Sequence, residues 1–308
     1  MTIRNKTSYV AAAAMLGSAM APQAQAHDIT DAFLTERSAN CADYVAEHTA
    51  SVTDLFTKTQ YDAAVAITTD GQTCTIASNA VPNHDFNTVE GFVNGFSEQD
   101  QAYTITATPT VAETPMPLTL GMDNAVFLNG VKLDLLAAGC YGIGDGLFGC
   151  FDMTTPYRFD PMGAASNMFG TDAHNAHTQT NGLYHYHGNP LALFEQVAPD
   201  AAPPVIGFAA DGFPIFGRYI NDDGTIRAAT TSYRLKTGTR PDGDDGPGGT
   251  YDGTYVDDWE FVEGLGDLDQ CNGMIQDGVY GYVVTATYPH VMACFTGTPD
   301  PSFLKPRP

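Results

Sequence analysis

A chain of 308 residues with 36 acidic and only 13 basic side chains is strongly anionic, with a formal charge of −23. Such a surface repels nucleic acid and anionic lipid headgroups and attracts cations, so polyanions are argued against as partners. The length suffices to bury a large core, and beyond the first residues no apolar run approaches the about 20 residues that a membrane-spanning helix needs.

The N-terminus reads as an export signal. Arg4 and Lys6 supply a short positive start, Val10 to Met20 is apolar, and Ala24-Gln25-Ala26 places small residues where a signal peptidase cuts. Residues 1–26 are therefore assigned as a signal peptide, with a secreted or periplasmic mature chain starting at His27. Removing the two basic residues of the leader takes the formal charge from −23 to −25. A chain that begins with histidine presents an α-amine and an imidazole together, a pair able to chelate copper. The sequence alone identifies no second histidine to complete such a site.

The elements that follow are mostly strands. Ala63–Ile67 and Thr73–Ala77 flank Asp70-Gly71, a hairpin signal, and Tyr103–Ala107 alternates as a half-buried strand does. Ala125–Leu128 and Val131–Leu135 flank Asn129-Gly130, the strongest short hairpin signal in the chain. Val205–Ala209 and Tyr280–Thr287 are further strands. Helix is expected only in short pieces, at Thr30–Arg37 and Leu191–Val197. The stretch Thr237–Gly253, rich in Gly, Asp and Pro, is a loop. The predicted fold is mainly β: a single compact antiparallel β-rich, sandwich-like domain with long loops, preceded by an N-terminal β-rich extension over 27–119.

Six cysteines in an exported chain imply three disulfides. Six allow 15 pairings, of which the simplest joins sequence neighbours: Cys41 with Cys74, Cys140 with Cys150, Cys271 with Cys294. The absence of Cys-x-x-Cys argues against a thiol redox site or a zinc ribbon.

Four of the eight histidines, His174, His177, His185 and His187, fall within fourteen residues. On a strand, alternation places His185 and His187 on one face and Tyr184 and Tyr186 on the other. Two imidazoles so placed suit one shared metal, with His177 or His174 returning as a third ligand across the Asn181-Gly182 turn. Neutral imidazole favours zinc or copper. Asp211 heads the turn Asp211-Gly-Phe-Pro-Ile215 and is either a general base beside a metal or an Asx-turn residue. The acidic run Asp242, Asp244, Asp245, Asp252, Asp257, Asp258 and Glu260 offers oxygen ligands to calcium, though without EF-hand spacing, and a solvated acidic loop explains it more simply. No Gly-x-Ser-x-Gly elbow, phosphate loop or dinucleotide fingerprint occurs.

Tyr184-His185-Tyr186-His187 resembles the motif that names the YHYH-domain family of exported proteins. The likeness extends over Asn175–Pro190, Ile206–Gly217, Gly248–Thr254, Gly266–Gly273 and Pro289–Gly297, with Asn129–Asp134 as an opening strand, so that residues 120–300 are assigned to a YHYH domain. The resemblance implies a domain type and an exported location, not a reaction. Many relatives carry a second histidine-containing aromatic block near the C-terminus, where this chain reads Tyr280-Gly281-Tyr282-Val283. Only His290 stands nearby as a replacement.

Two functions compete. One is a divalent-metal site on His177, His185 and His187, with Asp211 as base if it is catalytic. The other is a non-catalytic binding or surface module, in which Tyr184, Tyr186, Tyr251, Tyr255, Tyr280 and Tyr282 line a site for a small molecule or glycan. The oligomeric state is not legible.

Overall fold

The computed structural model describes residues 26–164, 168–197 and 203–305. The assigned signal peptide, apart from Ala26, lies outside the described residues. The N-terminal region forms a five-stranded sheet of β1 (His27–Asp28), β2 (Ala46–Thr53), β3 (Gln60–Thr69), β4 (Thr73–Ser78) and β5 (Gln101–Thr106), paired in that order. Its alternation is clean: Ala63, Val65 and Ile67 of β3, Cys74 and Ile76 of β4, and Tyr103 and Ile105 of β5 point inward, while their neighbours face solvent. That pattern belongs to a sheet covered on one side only.

The strands that follow are β6 (Met116–Pro117), β7 (Ala125–Phe127), β8 (Lys132–Leu133), β9 (Ala176–Thr178), β10 (Tyr184–Tyr186), β11 (Val205–Ala209), β12 (Pro214–Phe216), β13 (Tyr219–Asp222), β14 (Thr225–Ala228), β15 (Tyr233–Leu235), β16 (Trp259–Phe261), β17 (Gly273–Gln276), β18 (Val279–Val283) and β19 (Cys294–Phe295). Eight of them build one sheet in the order β17-β18-β12-β11-β7-β8-β10-β9. Here β7, β8, β10, β11 and β12 are buried at every position, because the sheet is covered on both faces. The sheet is mixed rather than wholly antiparallel: β10 runs parallel to β8, and β12 to β18.

A continuous apolar core joins the two sheets. Phe86 packs on Tyr184 and Tyr44 on Phe208, with ring centroids 5.5 and 5.8 Å apart. The predicted turn at Gly130 sits at this junction. Its φ is +78°, and an added Cβ would stand 2.4 Å from the Cβ of Ser78, whose hydroxyl donates to the Gly130 carbonyl at 2.6 Å. Only glycine allows that approach.

All three disulfides join sequence neighbours: Cys41–Cys74, Cys140–Cys150 and Cys271–Cys294. The two expected helices do not form. Thr30–Arg37 and Leu191–Val197 are irregular, and their backbones bond to distant partners: Leu34 N–H donates to the Leu193 carbonyl, Asp31 N–H to that of Asn83 and Val205 N–H to that of Glu36. The named helical pieces among the described residues are 3₁₀ turns at Cys41–Tyr44, Gly243–Asp245, Val256–Asp258 and Pro301–Phe303, and no described helix is long and apolar enough to cross a membrane.

Candidate metal centre

The hairpin β9–β10 carries the histidines. In its antiparallel register His185 lies directly opposite His177, and His187 follows two residues along the same face. The turn between them relies on Gly182, whose φ is +82° and whose Cβ would collide with Ser97 at 2.7 Å. Tyr184 and Tyr186 point the other way, into the core between the sheets. The Tyr184 hydroxyl donates to Asp172 at 2.8 Å, and the Tyr186 hydroxyl meets His84 Nε2 at 2.7 Å.

The three imidazoles converge. His187 Nε2 stands 3.0 Å from His185 Nε2 and 3.0 Å from His177 Nε2. Among the described residues these three form the grouping whose donor atoms lie close enough to share one ion. Hydrogen-bond partners assign the tautomers. His177 Nδ1 lies 2.5 Å from the Phe169 carbonyl and His185 Nδ1 3.3 Å from that of Leu183. A carbonyl only accepts, so both Nδ1 atoms carry protons and both Nε2 atoms present lone pairs. His187 Nε2 faces both, and one N–H there would serve only one of them well. A cation at the centre satisfies all three. Ligand nitrogens around a tetrahedral ion at about 2.0–2.1 Å stand roughly 3.3 Å apart, within a few tenths of an ångström of the two spacings that involve His187, and all three donor atoms lie within 4.8 Å of one another. The carbonyls of Phe169 and Leu183 supply the outer hydrogen bonds that orient ligating histidines.

Electrostatics favour the neutral, ligating form. Burial, then the neighbouring His177, pushes His187 down to about 3, against the opposing pull of Asp134. Burial, followed by the neighbouring histidines, holds His185 well below the ordinary value, and burial also lowers His177. His185 and His187 are 2% and 4% exposed, and His177 is half-buried. Beside His185 on β8 is its register partner Lys132, within a buried ion cluster. Lys132 Nζ is 2.6 Å from Asp123 and 3.7 Å from Asp134, and Lys305 Nζ is 2.5 Å from Asp134.

His174 is not part of the centre. Asn175, at φ +65°, turns the chain between His174 and β9, and His174 packs against His84 with centroids 4.0 Å apart and planes tilted by 47°. Asp211 lies elsewhere too, in the β11–β12 turn, where it accepts from the Tyr282 hydroxyl at 2.6 Å and from Gly297 N–H at 2.8 Å. Burial raises its carboxyl above the usual range, and none of its hydrogen bonds is to a histidine. His290 is no fourth ligand, since its Nε2 faces Asp160 at 3.2 Å. That pair lines a cleft of about 290 Å³ together with Arg158, Asp257 and Tyr288. Gly188, which follows His187, lies close to His290 of this cleft: a Cβ added there would stand 3.5 Å from the Cβ of His290. Three of the seven acids of the acidic run are engaged with cations of the chain: Arg240 pairs with Asp252 and Asp258, and Arg234 with Glu260. Tyr184, Tyr186 and Tyr282 are fully buried and line no surface site.

His84 was not singled out by the sequence. Its Nδ1 donates to the Asp85 carbonyl, and burial followed by the neighbouring His174 pushes it down to about 3. Below about pH 6.5 the unfolded chain takes up a proton at this site that the fold refuses, so His84 costs stability as pH falls, at about 1.4 kcal/mol per pH unit. The raised carboxyls of Asp172 and Asp211 act in the opposite sense at more acid pH. The expected result is therefore differential. Urea unfolding at pH 7 and pH 5 should show a loss for the wild type that is about 2 kcal/mol smaller in His84→Gln. An equal loss in both would contradict the assignment.

Fold and site together define a disulfide-stapled, β-rich domain built around a histidine hairpin. The family model described as "YHYH protein" matches residues 102–297, and the chain belongs to that family. No curated protein and no solved structure matches the chain.

Proposed function

We propose that this chain is an exported metalloprotein whose YHYH domain, residues 120–300, holds one divalent transition ion, zinc or copper, on His177, His185 and His187. The observation that carries the reading is the convergence of three Nε2 atoms, two of them left with bare lone pairs by carbonyl-bound Nδ1 protons. Three neutral imidazoles leave a fourth position on a tetrahedral ion for water or a ligand. Asp211 has no part in that chemistry; the cleft with Asp160 and His290 is the place for a small bound molecule. Export is supported by the three-part leader and the three disulfides. In this reading the 27–119 extension is a packing partner, seated on the domain through Ser78 and Gly130.

The test is elemental analysis of protein dialysed at neutral pH. Loaded with zinc alone before dialysis, the wild type is expected to retain about one zinc per chain, and His185→Ala and His187→Ala to lose at least nine-tenths of it. A wild type without stoichiometric metal, or variants that keep it, would show the histidines to be structural. Export is read separately, by N-terminal sequencing of the secreted protein, which should begin at His27.

A further inference from the structure

A second cluster of histidines lies at the far end of the five-stranded sheet. His27 opens β1 and is the register partner of His48 on β2, in parallel pairing. Register partners share a face of the sheet, and the two rings lie 5.9 Å apart, centroid to centroid, with their planes at 44°. His27 is exposed and His48 half-buried, on the inward face near the solvent edge of the sheet. Nδ1 of His48 is buried without a hydrogen-bond partner.

Position 27 adds a third donor. When the leader ends at Ala26, the nitrogen of His27 becomes a primary amine with an ordinary pKa of about 8, low enough for a metal to displace its proton near neutrality. That amine and Nδ1 of the same residue close a six-membered chelate. Two imidazoles on opposite sides of one ion, each nitrogen about 2.0 Å away, place their ring centroids about 6 Å apart, matching the separation of His27 and His48. An all-nitrogen, tetragonal donor set of this kind selects copper(II), which also heads the affinity order of the first-row divalent ions.

We propose that in the processed chain the α-amine and ring of His27, together with the ring of His48, form a copper(II) site distinct from the His177–His185–His187 centre. The site rests on removal of the leader after Ala26, as in the function proposed above. It does not depend on the histidine hairpin.

The experiment uses copper(II) alone as probe and four forms of the mature chain: one starting at His27, with its start verified by intact mass; the same chain acetylated at its α-amine; His48→Gln; and His185→Ala. The unmodified chain is expected to bind one more copper than the acetylated chain, at least 100-fold more tightly than any residual binding at this terminus. Its axial paramagnetic resonance spectrum should carry nitrogen couplings. His48→Gln is expected to weaken that copper at least 10-fold and to change the couplings, whereas His185→Ala leaves it unchanged. Equal binding by the acetylated chain, or an unaltered spectrum in His48→Gln, overturns the site. Acetylation changes no side chain, so it tests the amine even if His48→Gln folds poorly. Because the start at His27 is made by design, failure here is distinct from failure of natural processing, which N-terminal sequencing reads.

Discussion

Lys132→Met is expected to lower the stability of the protein by about 3–5 kcal/mol in urea unfolding, the cost of removing one partner from a buried ion cluster. Lys132 is 3% exposed and lies between two buried carboxylates, 2.6 Å from Asp123 and 3.7 Å from Asp134. Methionine nearly fills the same volume, so the loss reads charge rather than a cavity. The two acids respond differently to the cluster. Burial raises Asp123 despite Lys132, whereas at Asp134 the upward push of burial is overcome by Lys305 and Lys132. Asp123 therefore depends most on Lys132, and Asp123→Asn in the Lys132→Met background should recover part of the loss. A single-variant loss under about 1 kcal/mol would mean that Lys305 alone sustains the cluster. Because Lys132 is the register partner of His185, the ion cluster lies beside the histidine cluster.

Free zinc at about a thousandfold above its dissociation constant is expected to stabilise the native state by about 4 kcal/mol, since the unfolded chain has no preformed set of three imidazoles. For a chain of this size that raises Tm by roughly 10 °C. The gain should vanish in His187→Ala, whose Nε2 is the atom facing both other ligands. It should persist in His174→Ala, because His174 packs against His84 and not on the three clustered histidines. Equal Tm gains in His187→Ala and the wild type would place the zinc elsewhere.

Local signals were legible in the sequence. Asp70-Gly71 and Asn129-Gly130 mark real turns, because a positive φ is a property of the residue in the turn itself. The alternation of Tyr184–His187 correctly separates a histidine face from a tyrosine face. The two expected helices failed for the complementary reason: Leu193 and Phe194 are buried by distant parts of the chain, and their surroundings supply the backbone bonds that a helix would have made internally. The parallel pairings of β8 with β10 and of β12 with β18 join strands far apart in sequence, so no turn residue announces them.

By itself the sequence determined a β-rich, anionic chain with an even set of six cysteines and a strand that offers two imidazoles from one face, because these follow from composition and the two-residue period of a strand, whereas the neighbour pairing of the cysteines is fixed by the fold. Only the tertiary structure decided which histidine completes the centre. His174 and His177 are three residues apart and chemically identical. The left-handed backbone at Asn175 sends His174 to His84, and the antiparallel register sets His177 opposite His185. In the same way Asp211 faces Tyr282, and His48 faces His27 across a parallel register that no local spacing encodes. A ligand set is a convergence of side chains from different strands, and convergence is fixed by register and by the packing of the sheets rather than by residue type.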